Sequence, residues 1–319
     1  MPVFVPPLSV PKNQRSQYLK NWRLATKRSG RLFLFAGDQK VEHLNDDFFG
    51  RGIDQADASP EHLFKIASQS EIGVFATQLG MIARYGDSYR QIPYVVKLNS
   101  KTNILEDKSK LLSRRWLNVD QVVRLKNQSR LKIVGVGYTI YLGSEHEGRM
   151  LKEAAKIIYD AHQAGLLAIL WIYPRHPKVK NEDDIHLIAG AAGVATALGA
   201  DFVKVKYPYK NKNQVKTATD FREVSLAAGN TGVICVGGSK QAAKDLITST
   251  YLQIKHGQTV GLAIGRNLHQ RSLDEAIRLS RALNALIYKN KNDKEALKIF
   301  NTPLKTKTRF KSLFSFFSL

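Results

Sequence analysis

Gly199-Ala200-Asp201-Phe202-Val203-Lys204-Val205-Lys206-Tyr207 has the composition of a buried strand with two lysines set into it. Phe202, Val203 and Val205 mark the strand, and Gly199 ends the helical segment before it. Side chains alternate along a strand, so Lys204 and Lys206 are expected on one face and Val203 and Val205 on the other. Lysine is rarely fully buried, and two ammonium groups on one interior face repel each other. Together with desolvation this lowers at least one pKa toward neutrality, which makes the amine a nucleophile for carbonyl carbon through a Schiff base. On an edge strand the same two lysines would lay their stems on the sheet and hold their heads in water. The position of the strand in the fold therefore decides between the two readings.

Working outward, apolar strand candidates stand at residues 32–36, 74–77, 94–98, 133–141, 167–171, 202–205, 233–236 and 260–264. Segments of helical period separate most of them. Met150, Leu151, Ala154, Ile157, Ile158 and Ala161 form one stripe ended by Gly165; Ile185, Ile188, Ala189, Ala192 and Ala195 form another after the acidic Glu182-Asp183-Asp184. Ser272-Leu273-Asp274-Glu275 is a capping box for the last long helix. Strand and helix in alternation give a parallel sheet with crossover helices, and eight strands within residues 31–288 suit a single (β/α)8 TIM barrel. An open doubly wound sheet would need a nucleotide fingerprint after its first strand; Gly135-Val136-Gly137 lies inside a strand and lacks the third glycine. The barrel, residues 31–288, is preceded by an N-terminal arm with a short helix, residues 1–30, and followed by a basic tail, residues 289–319.

Composition sets further bounds. The chain of 319 residues carries a formal charge of +22 and one cysteine, Cys235, in an apolar run. No disulfide can form within it, which fits a reducing cytoplasm. No apolar run reaches the ~20 residues of a membrane span. The positive charge is weighted to the ends: residues 1–30 hold Lys12, Arg15, Lys20, Arg23, Lys27 and Arg28 and no acid. Basic surfaces attract nucleic acid, anionic lipid and phosphorylated metabolites without choosing among them, and nucleic acid is not the expected partner here. The eight histidines form no closely spaced pair of metal-ligand type, so neither a metal nor another cofactor is expected.

In a barrel of this kind function gathers at the C-terminal ends of the strands. Asp38 ends the first strand, in register with Ala36 and Leu34; Lys97 and Asn99 end the third; Trp171 and Tyr173 end the fifth; Lys204 and Lys206 end the sixth. Each alone could be a satisfied core group, and Trp171 alone reads as core. Polar groups in lumen register at four strand ends exceed what packing requires. After the seventh strand, Gly237-Gly238-Ser239-Lys240 is expected to open a helix, and Gly265-Arg266-Asn267 follows the eighth. Glycine-freed backbone N–H groups with Arg266 beside them make a phosphate seat.

Those segments, with Trp171-Ile172-Tyr173-Pro174-Arg175, Tyr138-Thr139-Ile140-Tyr141-Leu142-Gly143-Ser144 and Gly261-Leu262-Ala263-Ile264-Gly265-Arg266-Asn267, resemble the archaeal-type class I fructose-1,6-bisphosphate aldolases, in the superfamily of deoxyribose-phosphate aldolase. The resemblance covers about residues 30–288. It implies a metal-independent aldolase of glycolysis and gluconeogenesis that is a cytoplasmic homo-oligomer acting on a phosphorylated sugar. It makes Lys204 the Schiff-base lysine, Tyr173 the acid/base residue, and Asp38 the aspartate after the first strand. Trp171, Lys206, Lys97 and Asn99 would contact substrate, and Gly237, Gly238, Gly265 and Arg266 would hold phosphate. Two positions depart from the family pattern: Asp38-Gln39-Lys40 replaces Asp-His-Gly, and Val236-Gly237-Gly238 replaces Ser-Gly-Gly. The alternatives are a related lysine-dependent aldolase or transferase on another phosphorylated keto compound, and a non-catalytic basic barrel that binds nucleic acid.

Overall fold

The structure is a computed structural model that describes residues 5–104, 107, 109–209 and 212–304; the extreme C-terminal segment, residues 305–319, lies outside the described residues. Eight parallel strands close into a barrel: β1 (Leu32–Ala36), β2 (Val74–Gln78), β3 (Tyr94–Lys97), β4 (Ile133–Leu142), β5 (Leu167–Pro174), β6 (Phe202–Val205), β7 (Gly232–Val236) and β8 (Gly261–Ile264). They neighbour one another in chain order, with β1 against β8, and helices such as Glu147–Gln163, Ile185–Ala197 and Leu273–Lys289 return the chain between or after them. This is the expected (β/α)8 arrangement.

Strand alternation divides the apolar residues into two cores. Leu32, Leu34, Ala36, Val74, Ala76, Val95, Leu167, Ile169, Trp171, Phe202, Ile234 and Ala263 fill the lumen, whereas Phe33, Phe35, Phe75, Tyr94, Val203 and Val205 face the helices. The bulky lumen residues leave no pore, so a polar side chain in lumen register is either sealed in or stands at an end. Strand β5 runs three residues past the expected end at Trp171. It pairs with the long β4, with Tyr141 opposite Tyr173 and Leu142 opposite Pro174, so Tyr173 is fixed by a strand rather than by a loop.

The N-terminal helix Arg15–Ala25 closes the bottom of the barrel. Its Tyr18, Trp22 and Ala25 belong to the lumen core. The Trp22 ring stacks on Phe202 at 5.0 Å, and Tyr18 Oη donates to Asp201 Oδ1 at 2.5 Å. Asp201 Oδ2 also accepts from the Ala168 N–H at 2.7 Å and lies 3.2 Å from His162 Nε2, so the carboxylate ties the helix to β5 and the start of β6. At the other end of the chain the helix Asp293–Asn301 packs with Arg278 beneath it, whose guanidinium donates to Phe300 O at 2.9 Å.

Truncating Trp22 removes its stacking on Phe202 and the burial of its ring in the lumen core. Trp22→Ala is expected to lower unfolding free energy by about 3 kcal/mol. A urea titration should show an earlier midpoint at unchanged slope; an unmoved midpoint would mean the helix is not part of the cooperative unit.

Candidate active site

Polar side chains meet at the C-terminal mouth of the barrel, where the lumen fill ends. Lys204 is the inward residue of β6 one step above Phe202, level with Trp171 of β5 and Ile234 of β7. It is 5% exposed, and its Nζ lies 5.3 Å from the centre of the Trp171 ring. From β3 the Lys97 Nζ approaches the same ring at 4.9 Å. Lys97 is anchored by Asp38 Oδ2 at 3.4 Å and by Thr139 Oγ1 at 2.5 Å. Two ammonium groups thus border one indole, and the carboxylate stands beside Lys97.

The Trp171 ring has room because it reaches over a glycine of β4, Gly137. A Cβ on Gly137 would lie 2.5 Å from the indole, and 3.3 Å from the Lys97 side chain. The glycine that fails as part of a nucleotide fingerprint is a seat for the ring on which both lysines rest.

Burial lowers the Lys204 pKa to about 8, and the charges of Lys97 and Arg266 push the same way against Asp38 and Glu42. A substantial share of Lys204 is therefore neutral near pH 8. The Tyr173 phenol moves in the opposite sense: burial, Glu42 and Asp38 all hold its proton on. The mouth thus combines a readily deprotonated amine with a phenol that stays protonated, separated along β5–β6 by one strand position.

Three expectations need correction. Lys206 does not share the interior face with Lys204. Strand β6 ends at Val205, alternation ceases to govern the chain there, and Lys206 Nζ turns to Asp183 Oδ1 at 3.0 Å and Glu182 Oε2 at 3.5 Å. The like charges acting on Lys204 are Lys97 and, more weakly, Arg266. Asn99 is not free for a substrate: its amide donates to Ser113 O at 3.0 Å and Thr139 O at 2.8 Å, and its Oδ1 accepts from Thr139 N at 2.8 Å. It splints β4 so that Thr139 meets Lys97. Finally, Gly237-Gly238-Ser239-Lys240 does not open a helix, which begins only at Ala243.

The loop after β7 is instead braced by Asn267, whose Nδ2 donates to Gly237 O at 2.9 Å and Ser239 O at 3.0 Å while its Oδ1 accepts from Gln241 N at 3.0 Å. Gly237 is packed so closely on Ile264 that a Cβ would fall 2.2 Å from it, and Gly238 has a left-handed φ of +69°. Gly265 precedes the short helix Arg266–His269, its Cα hydrogens against the Gln39 amide. Arg266 Nη1 lies 3.7 Å from Asp47 Oδ1. Lys240 turns away and donates to Gly52 O and Gln270 O.

Two residues of the mouth escaped the sequence reading. Glu42 ends the helix Gln39–Glu42 after β1 and accepts from Tyr141 Oη at 2.8 Å; Tyr141 stacks on Tyr173 at 6.3 Å, and Arg175 lies over both rings. The spacing of Asp38 and Glu42, one helical turn apart at a strand end, is the signal that places both toward the mouth. Thr139 was hidden in the apolar run of β4.

Comparison with known proteins agrees with this geometry. Residues 32–271 match the family described as DeoC/LacD family aldolase. The chain is 54% identical over 294 residues to a protein of Methanocaldococcus jannaschii named fructose-bisphosphate aldolase/6-deoxy-5-ketofructose 1-phosphate synthase, covering 92% of this chain and 93% of that one. Among solved structures it is similar to a fructose-bisphosphate aldolase from Slackia heliotrinireducens, with 46% identity, a TM-score of 0.90 and 94% of each chain covered. It is also similar to an archaeal fructose-1,6-bisphosphate aldolase described with its catalytic lysine covalently bound to the carbinolamine intermediate, at 30% identity, TM-score 0.72, and 85% and 99% of the two chains.

If burial and Lys97 set the Lys204 amine, its reductive labelling by a small aldehyde and borohydride rises with pH through about 8. In Lys97→Met the like charge is gone and Asp38 is released to act on Lys204. Both changes favour the ammonium form, so the labelling midpoint moves to higher pH, as peptide mapping across a pH series would report.

Proposed function

The chain belongs to the DeoC/LacD family of aldolases, and on that premise we propose that it reversibly cleaves fructose 1,6-bisphosphate to dihydroxyacetone phosphate and glyceraldehyde 3-phosphate through a Schiff base on Lys204. The observation that carries the reading is the sealed Lys204 amine with its pKa lowered to about 8, at a strand end of a barrel similar throughout to Schiff-base aldolases. Neutral Lys204 adds to the ketone carbon C2, and loss of water leaves an iminium. The Asp38 carboxylate takes the proton of the C4 hydroxyl. The C3–C4 bond then breaks toward the iminium, releasing the aldehyde and leaving an enamine.

Tyr173 keeps its phenol proton at neutral pH and is the donor to C3 of the enamine; hydrolysis returns Lys204. Lys97, held by Asp38 and Thr139, adds to the field that lowers the Lys204 pKa. Trp171 forms the floor against which the three-carbon unit lies. Arg266, with the backbone at Gly237, Gly238 and Gly265, anchors a phosphate, so binding energy remote from the reacting carbons positions them. Lys206, held by Glu182 and Asp183, reaches at most a substrate oxygen at the rim. A cytoplasmic homo-oligomer is part of this reading; the single buried Cys235, which leaves no disulfide within the chain, supports the compartment.

A second reading is favoured by the 54% identity to the Methanocaldococcus jannaschii protein, whose name includes 6-deoxy-5-ketofructose 1-phosphate synthase. The Lys204 enamine would there be handed to a different aldehyde, with the same residues in the same roles.

Borohydride added in the presence of dihydroxyacetone phosphate should fix a three-carbon adduct on the peptide containing Lys204, and Lys204→Met should abolish both adduct and cleavage. An intact, folded protein that gives no adduct would reject the aldolase. Cleavage is expected to persist in a chelator. The two proton-transfer residues separate kinetically: Tyr173→Phe should slow hydrogen exchange at C3 of dihydroxyacetone phosphate by about 10²–10⁴-fold with the adduct retained. Asp38→Asn should slow cleavage of the bisphosphate and leave that exchange much less affected.

A further inference from the structure

Arg266, the side chain read as the phosphate anchor, is weakly held by its own contacts. Its Nη1 lies 3.7 Å from Asp47 Oδ1, beyond hydrogen-bond length, and its Nε has no hydrogen-bond partner among the described residues. Its direction is therefore set by the backbone beneath it, the helix Arg266–His269, and one turn of helix does not hold its own shape. What fixes that turn is a group of buried residues that the reaction does not use. His269 Nδ1 lies 2.6 Å from Asp57 Oδ2, and both side chains are sealed from solvent. The Phe48 ring stacks on the imidazole at 4.7 Å, and His62 Nε2, which faces His269 O and Arg271 O at 3.1 Å each, donates to them. Asp57 stands in the short turn Gln55–Ala58 of the connection after β1, so its bond joins that connection to the segment that follows β8. Burial pushes Asp57 up to about 8 and His269 down to about 3, so the pair is uncharged near neutral pH. A neutral pair this deep supplies little ion-pair attraction; what it supplies is a distance. Its 2.6 Å separation is about 1 Å shorter than the ~3.5–4.0 Å at which apolar groups meet.

We infer that Asp57 and His269 are positioning residues for the phosphate anchor: their hydrogen bond sets the spacing between the turn Gln55–Ala58 and the helix Arg266–His269, and with it the place of the Arg266 guanidinium. The inference rests on the reading of Arg266 as that anchor and deepens it by naming what aims the side chain. His269 stands three residues after Arg266, close to one helical turn, so the two move as one body. The same turn is tied to Asp47, whose carbonyl accepts from Gln270 Nε2 at 2.8 Å. Guanidinium and phosphate meet through parallel, directional hydrogen bonds, and a misplacement of about 1 Å in a group that positions substrate can cost on the order of 10²-fold. The charges that act on Lys204 are Asp38, Lys97, Glu42 and Arg266, with Asp57 and His269 not among them, so the aim of the anchor and the chemistry of the amine can be separated by experiment.

Asp57→Leu alone would strand His269 Nδ1 in an apolar site and endanger folding. The double variant Asp57→Leu/His269→Phe replaces both partners by apolar groups, keeps a ring against Phe48 and leaves nothing unpaired, yet it cannot restore the short spacing. Borohydride inactivation is measured against the concentration of dihydroxyacetone phosphate and of dihydroxyacetone, which lacks the phosphate, with a urea titration to establish that each variant is folded. In the double variant half-saturation by dihydroxyacetone phosphate is expected to rise ~10–100-fold, while labelling of Lys204 by dihydroxyacetone proceeds as in the unaltered protein. Asp57→Asn, whose amide can still bond Nδ1, should stay close to the unaltered protein with both ketones. Equal losses with the two ketones would overturn the positioning role. So would a folded double variant that takes up dihydroxyacetone phosphate normally, or an Asp57→Asn as weak as the double variant. An unaltered protein that takes up dihydroxyacetone phosphate no better than dihydroxyacetone would remove Arg266 as a phosphate anchor and this inference with it, and one that traps neither ketone would reject the Schiff-base reading as well.

Discussion

An ammonium ion set above the apolar fill of a closed barrel must be paired or give up its proton, and here the Asp38 carboxylate makes its ion pair with the other lysine. Asp38 sits 3.4 Å from Lys97; Asp38 and Glu42 still favour the Lys204 ammonium, but burial with the charges of Lys97 and Arg266 outweighs them. That division of one carboxylate between two lysines is what the surrounding structure maintains. Gly137 gives Trp171 its place, the Trp171 ring lies near both lysine amines, and Asn99 holds β4 so that Thr139 fixes Lys97.

The same low dielectric acts in the opposite direction on the phenols. Tyr173 and Tyr141 stand close to Glu42, and burial beside carboxylates raises both. A single environment therefore lowers a base and strengthens the hold on an acid's proton, which sets a nucleophile and a proton donor one strand apart without any further device.

Much of this was legible in the residues, and the parts that were not share a cause. Period-2 alternation placed Asp38, Lys97, Tyr173 and Lys204 toward the lumen because each lies on a strand or immediately beyond its end, where the pleat still controls direction. Lys206 broke the rule since pairing stops at Val205, and the first acids within reach, Glu182 and Asp183, then decide where it points. Glu42 was missed because its partner Tyr141 is 99 residues away, a contact that no local pattern encodes. Asn99 has the composition of a binding residue, and only the tertiary positions of Ser113 and Thr139 reveal that its amide is already occupied. The glycines after β7 suggested a helix start, whereas Asn267, from the next strand's loop, holds them in a non-helical turn.

The helix at the barrel floor also bears on the order in which the chain can fold. Residues 15–25 leave the ribosome early, yet Tyr18 and Trp22 find their partners in Asp201 and Phe202, which are made about 180 residues later. Until β6 exists, the aromatic side of the helix lacks its Asp201 and Phe202 partners. Closing the bottom is thus a late, long-range event that couples the first helix of the chain to the strand bearing Lys204. A nascent chain halted before residue 200 would expose both an apolar helix face and open strand edges, the kind of surface that chaperones recognise.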